Sequence, residues 1–139
     1  MNKAFVDSAA WLALFSEDDY LHSQALKTML DLKKKKYHLT TTDFIFLEVA
    51  DALSGAKFRT NAISYIQRLR QSKSLKVLPI STDLLEKGWQ LYCSRLDKDW
   101  GLTDCTSFVV MTQENITTAF TSDRHFEQAG FVRLLNPNM

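Results

Sequence analysis

Apolar blocks of two lengths alternate along the chain, and their spacing predicts the elements. KAFV (residues 3–6) is a short apolar run that stops at Asp7, and Ser8 stands where it would cap the helix AAWLALF. A second helix is expected from about Asp18 to Lys35, because Leu21, Ala25, Met29 and Leu32 recur at helical spacing. YHLTTT reads as a strand, and Thr42 or Asp43 would cap the helix FIFLEVADAL, which Gly55 ends. Residues 60–72 predict another helix, LKVLPI a strand closed by Pro79, and Ser81 the cap of TDLLEKGWQLYCSRL. After a polar loop come the helix TDCTSFVVMTQ with Thr103 as its cap, the strand ITTAFTS, a short helix from Asp123 to Ala129, and a last strand FVRLL.

Strands that alternate with helices imply a mainly parallel α/β sheet covered on both faces, since parallel neighbours need crossover connections. Ligands of such sheets sit beyond the carboxyl ends of the strands. Asp7 and Asp123 both fall at such an end, so one crevice could hold them although they are 116 positions apart.

Composition narrows the class. At 139 residues, 45% hydrophobic and 24% charged, the chain is expected to be a single domain spanning 1–139. No apolar run approaches the roughly 20 residues that cross a bilayer, and Asp7 interrupts what would be a signal peptide's apolar stretch, so a cytoplasmic protein without membrane association is expected. Cys93 and Cys105 show no ligand spacing and are read as core thiols. The net charge is only +1, but it is unevenly spread: residues 33–76 hold ten basic and three acidic residues, and residues 77–123 hold three basic and seven acidic. Residues 57–76 hold six lysines or arginines and no acid. A basic face beside an acidic cluster suits a polyanion brought to a metal.

Each carboxylate has a plain explanation and a chemical one. Asp7 could help cap the first helix, but Ser8 already serves. Glu48 sits near Phe44, Ile45 and Ala52 on a helical wheel, where a carboxylate is costly unless an ion pair or a metal meets it. Asp104 lies in a first helical turn, which favours negative charge by itself. Asp123 could be a simple cap, and His125 a helix-start histidine. Asp97 and Asp99 read as solvated loop residues.

Taken together, these acids point to a cation. Ionised carboxylates about 4 Å apart repel by roughly 4 kcal/mol per pair at an effective dielectric near 20. All-oxygen ligation selects hard cations such as Mg2+ or Mn2+, which activate water and stabilise phosphoryl oxygens.

The order Asp7, Glu48, Asp104, Asp123, in the strings FVDSAAWLALF, FLEVADAL, DKDWGLTDCTSF and FTSDRHFEQAGF, closely resembles the PIN-domain nucleases, and among them the VapC-type toxin ribonucleases of toxin–antitoxin pairs. The resemblance covers essentially the whole chain. It implies a three-layer α/β/α sandwich with strand order 3-2-1-4-5 and a Mg2+- or Mn2+-dependent endoribonuclease acting on RNA. It also implies a homodimer and a cognate antitoxin that obstructs the acidic site. The family's acidic set falls on Asp7, Glu48, Asp104 and Asp123 as catalytic and metal-binding residues, with Asp99 as a candidate accessory. Gly101 departs from the serine usual before LTD; it removes no ligand.

The alternative reading is a catalytically silent PIN domain that binds RNA or acts as a scaffold, against which the intact acid set argues. A phosphoacceptor receiver domain would need paired acids after the first strand and an aspartate after the third, and LKVLPI ends without one. A haloacid-dehalogenase phosphatase would need a second aspartate at position 9, which is alanine. Lys33 to Lys36 is expected to be an exposed helix end. Lys57 to Lys76, with Phe58, Tyr65, Ile66 and Leu69, is expected to meet RNA, a second copy or an antitoxin.

Overall fold

The computed structural model describes residues 2–138. Its five strands are β1 (Lys3–Val6), β2 (His38–Thr42), β3 (Leu75–Leu78), β4 (Thr118–Phe120) and β5 (Val132–Arg133). They form one sheet in the order β3-β2-β1-β4-β5, with every neighbouring pair parallel. The expected fold class and strand order are therefore both found. Between the strands run α1 (Ser8–Phe15), α2 (His22–Lys34), α3 (Asp43–Ala52), α4 (Ala56–Gln71), α5 (Thr82–Ser94), α6 (Leu102–Gln113) and α7 (Arg124–Gln128). None of these helices is long and apolar enough to cross a membrane.

β1 is central because it is the most apolar strand: Ala4, Phe5 and Val6 are fully buried, as a strand covered on both faces requires. The chain order of strands reverses across β1 and β4, whose pairing sets Val6 opposite Phe120. Asp7 and Thr121, the next residues of both strands, consequently lie side by side. Below them Phe126 of α7 stacks on Phe5 at 6.4 Å and meets Phe108 of α6 edge-on at 4.9 Å. Trp100 meets Phe108 at 5.0 Å, and its indole N–H donates to Gln128 Oε1. This aromatic block joins α6 to α7.

Several element starts differ from expectation. Residues 18–21 form a turn, in which the Asp19 carboxylate accepts from the Leu21 N–H, and α2 begins only at His22. α4 begins four residues early behind Gly55, with no side-chain cap to announce it. β3 stops at Leu78. α6 is capped at Gly101 rather than Thr103, because the Asp104 carboxylate reaches back to the Gly101 N–H at 3.1 Å. Thr42 and Ser81 cap α3 and α5 as expected, accepting from Ile45 and Leu84. Cys105 is buried, but Cys93 lies on the exposed face of α5 and is not a core thiol. Gly88 of α5 is the close-approach point with α6: a Cβ there would stand 2.6 Å from Thr106 Cγ2 and 3.2 Å from its backbone N.

The basic segment is less free than its composition suggests. Arg70 pairs with Asp43 at 3.0 Å and Lys76 with Glu114, so distant acids neutralise two of its six cations. Tyr65, Ile66 and Leu69 pack inward, and the Tyr65 hydroxyl donates to the Trp11 carbonyl at 2.8 Å. Phe58 stays partly exposed, its ring edge-on to Phe15. Lys33 and Lys34 close α2, and Lys35 pairs with Asp31.

Candidate active site

Where β1 ends, the chain turns directly into α1, and Asp7 occupies the N-cap position without a capping hydrogen bond from its side chain. Ser8, expected as that cap, is instead the first helical residue, and its hydroxyl donates to Glu48 Oε1 at 3.1 Å. The Asp7 carboxylate is thereby left to the pocket. It is only 4% exposed and accepts a 2.7 Å hydrogen bond from the Thr121 hydroxyl. Burial raises its pKa from the ordinary 3.8 to about 7; Thr121 and the Ser8 N–H oppose that shift, and Asp104 and Glu48 add to it.

Thr121 has a second role. Its hydroxyl oxygen accepts from the Asp123 N–H at 3.0 Å, which ties the β4–α7 corner to Asp7. Asp123 in turn caps α7, its Oδ1 accepting from the His125 N–H at 2.9 Å. The plain explanation of Asp123 as a cap thus holds alongside its place in the cluster.

On the neighbouring helix α6, Asp104 Oδ2 lies 3.3 Å from His125 Nδ1, and Asp123 Oδ1 lies at the same distance from that nitrogen. Ligand-type atoms of Asp104, Asp123 and His125 all fall within 4.8 Å of one another. Partial burial, then the charge of Asp123, raises the Asp104 pKa, while Gly101 and His125 hold it down.

Glu48 completes the ring from α3, but not from the apolar surroundings expected of it. It lies on an exposed edge of the helix, whose buried face is Ile45, Phe46 and Val49. Neither lysine nor arginine pairs with it among the described residues. Its carboxylate is nevertheless partly desolvated, which raises its pKa, and the charges of Asp104 and Asp123 add to the rise.

The structure therefore brings together Asp7, Glu48, Asp104 and Asp123. Asp99 is exposed in the preceding loop and has no hydrogen bond or ion pair among the described residues. Asp97 is not simply solvated: Arg95 grips it through two hydrogen bonds of 2.9 and 3.0 Å and holds its pKa down at about 2. Reading the sequence alone misses Ser8, Thr121 and His125 as positioning groups. A hydroxyl one residue after a strand-end aspartate, and another two residues before the next such aspartate, are the available signals.

The donor set suits a divalent cation. Four carboxylates converge, three of them with raised pKa values. Among the described residues no lysine or arginine pairs with any of the four, and the ring of His125 lies 3.3 Å from both Asp104 and Asp123. A cation arriving from outside would offset both the burial and the mutual repulsion of these acids.

The PIN domain model matches residues 4–132 of the chain. Over 130 residues, 94% of this chain and 96% of the relative, the sequence is 27% identical to the 23S rRNA-specific endonuclease VapC20 of Mycobacterium tuberculosis. The crystal structure of that VapC20, described as a Sarcin-Ricin loop cleaving toxin, superposes with a TM-score of 0.81 over 93% of this chain and 96% of that one. The fold is also that of VapBC2 from Rickettsia felis, bound to a DNA fragment from its promoter (TM-score 0.69, 13% identity, 94% and 96% covered), and of FitAcB from Neisseria gonorrhoeae (0.65, 15%, 95% and 96%). With its matched span, its sheet order and its four converging acids, the chain belongs to the PIN domain family.

Proposed function

We propose that the chain acts as a single PIN domain and is a divalent-metal-dependent endoribonuclease, the toxin of a toxin–antitoxin pair. The observation that carries this reading is the convergence of Asp7, Glu48, Asp104 and Asp123 at the carboxyl end of the sheet without a lysine or arginine partner. Ribosomal RNA is the first substrate class to test, and a sarcin–ricin-type loop the first site, because VapC20 is similar along nearly its whole length. The likeness to VapC20 and VapBC2 supports an antitoxin partner. A homodimer is supported by the exposed apolar stripe Leu85, Trp89 and Tyr92 on α5.

Asp7, Glu48 and Asp104 would hold Mg2+ or Mn2+, with Asp123 completing the pocket. When bound, the ion supplies Lewis-acid activation of water and neutralises charge on a phosphodiester. The protein's own part is placement. Thr121 and the Ser8 N–H fix the buried Asp7 carboxylate, the Ser8 hydroxyl fixes Glu48, and His125 spaces Asp104 from Asp123. The two hydroxyls and the N–H orient their acids without cancelling charge.

The test is to incubate purified protein with bacterial ribosomal RNA and Mg2+ or Mn2+ and to sequence the new 5′ ends. Discrete ends made by the wild type and lost in Asp7→Asn and Asp104→Asn are expected. Equal metal-dependent cleavage by both variants would sink the assignment, and tight RNA retention without cleavage or metal binding would favour a silent scaffold.

A further inference from the structure

An acidic pocket that cuts a polyanion repels its own substrate, so phosphates flanking the scissile one need a cation close to the pocket. The corner that carries Asp123 also borders a cleft of about 480 Å³. Asp123 and His125 form the wall shared with the acidic pocket, Arg124 and Arg133 line the cleft, and Pro137 and Asn138 of the C-terminal segment bound it. The two arginines differ. Arg133 Nη1 donates to the Ser122 carbonyl at 2.8 Å, and its Nη2 pairs with Glu127 at 2.7 Å. Its guanidinium is thus held in place, with N–H groups left over from the five it carries. Arg124 is exposed and has neither a hydrogen bond nor an ion pair among the described residues.

We propose that Arg124 and Arg133 form a phosphate-binding subsite that holds a backbone phosphate of the RNA next to the one being cleaved. This rests on the endoribonuclease reading and adds to it how the strand is positioned. Consecutive residues place opposite charges at one corner: Asp123 belongs to the acidic cluster and borders the cleft, and Arg124 lines that same cleft beside it. A strand crossing that corner would meet the acids at one phosphate and a guanidinium at a neighbouring one. A guanidinium suits this because it binds phosphate oxygens in a two-pronged geometry that an ammonium does not offer. Arg133 would act as the fixed prong, and Arg124 as the prong ordered by the ligand.

The test reads binding and turnover separately. In chelator, which stops cleavage, the affinity for a fluorescent single-stranded RNA oligonucleotide is measured from about 50 to 200 mM salt. Arg124→Ala should weaken binding about tenfold and lower the slope of log affinity against log salt by about 0.7, one phosphate contact on a single strand. Arg124→Lys should restore the slope but only part of the affinity. Glu127→Gln, which frees Arg133 from its carboxylate partner, should shift affinity the other way and tighten binding a few-fold. With Mg2+ or Mn2+ present, the loss in Arg124→Ala should fall on KM more than on kcat. Wild-type slope and KM in Arg124→Ala, with a wild type that cleaves, would overturn the subsite and leave the nuclease reading standing. A wild type that cleaves no RNA presented would overturn the nuclease reading, and the salt slopes in chelator would still decide whether the cleft holds phosphate.

Discussion

The two ends of β1 treat their carboxylates in opposite ways. At the amino end, the Glu114 side chain pairs with Lys76, and its backbone carbonyl accepts from the Lys3 ammonium at 2.8 Å. At the carboxyl end, the Asp7 side chain meets a threonine hydroxyl and a backbone N–H, and its nearest charged neighbours are other acids. One pole is electrically closed by the chain itself, and the other is left open. A fold that neutralises Glu114 with Lys76 of β3 does not lack the means to do the same at the other end. On the proposed reading, its acidic pole takes its counter-charge from solution.

The sharpest way to break this comparison is to remove a charge from the open pole. Asp7→Asn or Asp104→Asn should lower RNA cleavage by more than the roughly 10–100-fold typical of losing a group that merely supports a metal ligand, read as single-turnover rates in Mg2+ or Mn2+. The same Asp7→Asn change should stabilise the metal-free protein. Asp7 binds its proton more tightly folded, at about 7, than at the ordinary 3.8 of an unfolded chain. The stability linked to that proton is therefore fully present below about pH 4 and is lost as pH rises through 7. In chelator, wild-type stability should fall across that window by an amount on the order of 2–4 kcal/mol. Asp7→Asn should flatten the fall and exceed wild type at pH 8 in a denaturant titration; a variant weaker than wild type at pH 8 would contradict the open-pole picture.

Thr121→Val keeps the shape and deletes the hydroxyl that serves both Asp7 and Asp123. It should cost about 1–3 kcal/mol and weaken metal affinity about 10–100-fold, measured by calorimetry. Glu114→Gln at the closed pole should have the smallest effect, a loss of about 0–1 kcal/mol that shrinks in high salt, with no change in metal binding.

Much of this contrast is visible in the string of residues, and the reason is chain direction. A short apolar run that ends in a carboxylate, as in KAFVD, puts that carboxylate at the carboxyl edge of a parallel sheet, and the same logic finds Asp123. Glu48 was legible as a candidate but not in its surroundings. Phe44 and Leu47 make its helix look apolar all round, yet Leu47 is exposed, and the face that packs is Ile45, Phe46 and Val49. His125 is the helix-start histidine expected, but its contact with Asp104 is not legible, because that acid lies 21 positions away on another helix. Helix starts at His22 and Ala56 escaped for a local reason: a turn closed by the Asp19 side chain interrupts one apparent helix, and Gly55 opens the other with no side chain to signal it. Arg70 and Lys76 looked free because their acidic partners, Asp43 and Glu114, lie outside the segment that holds them.

Thr121 carries one further consequence, concerning the direction of its hydrogen bonds. A hydroxyl has one proton to give, and the oxygen of Thr121 is already receiving from the Asp123 N–H, so its proton is committed to Asp7 Oδ2. That bond is made to the charged form of the carboxylate, so it opposes the rise that burial imposes on the Asp7 pKa. One hydroxyl thus relays the backbone N–H of Asp123 to Asp7, and the placement of two acids 116 positions apart hangs on a single proton.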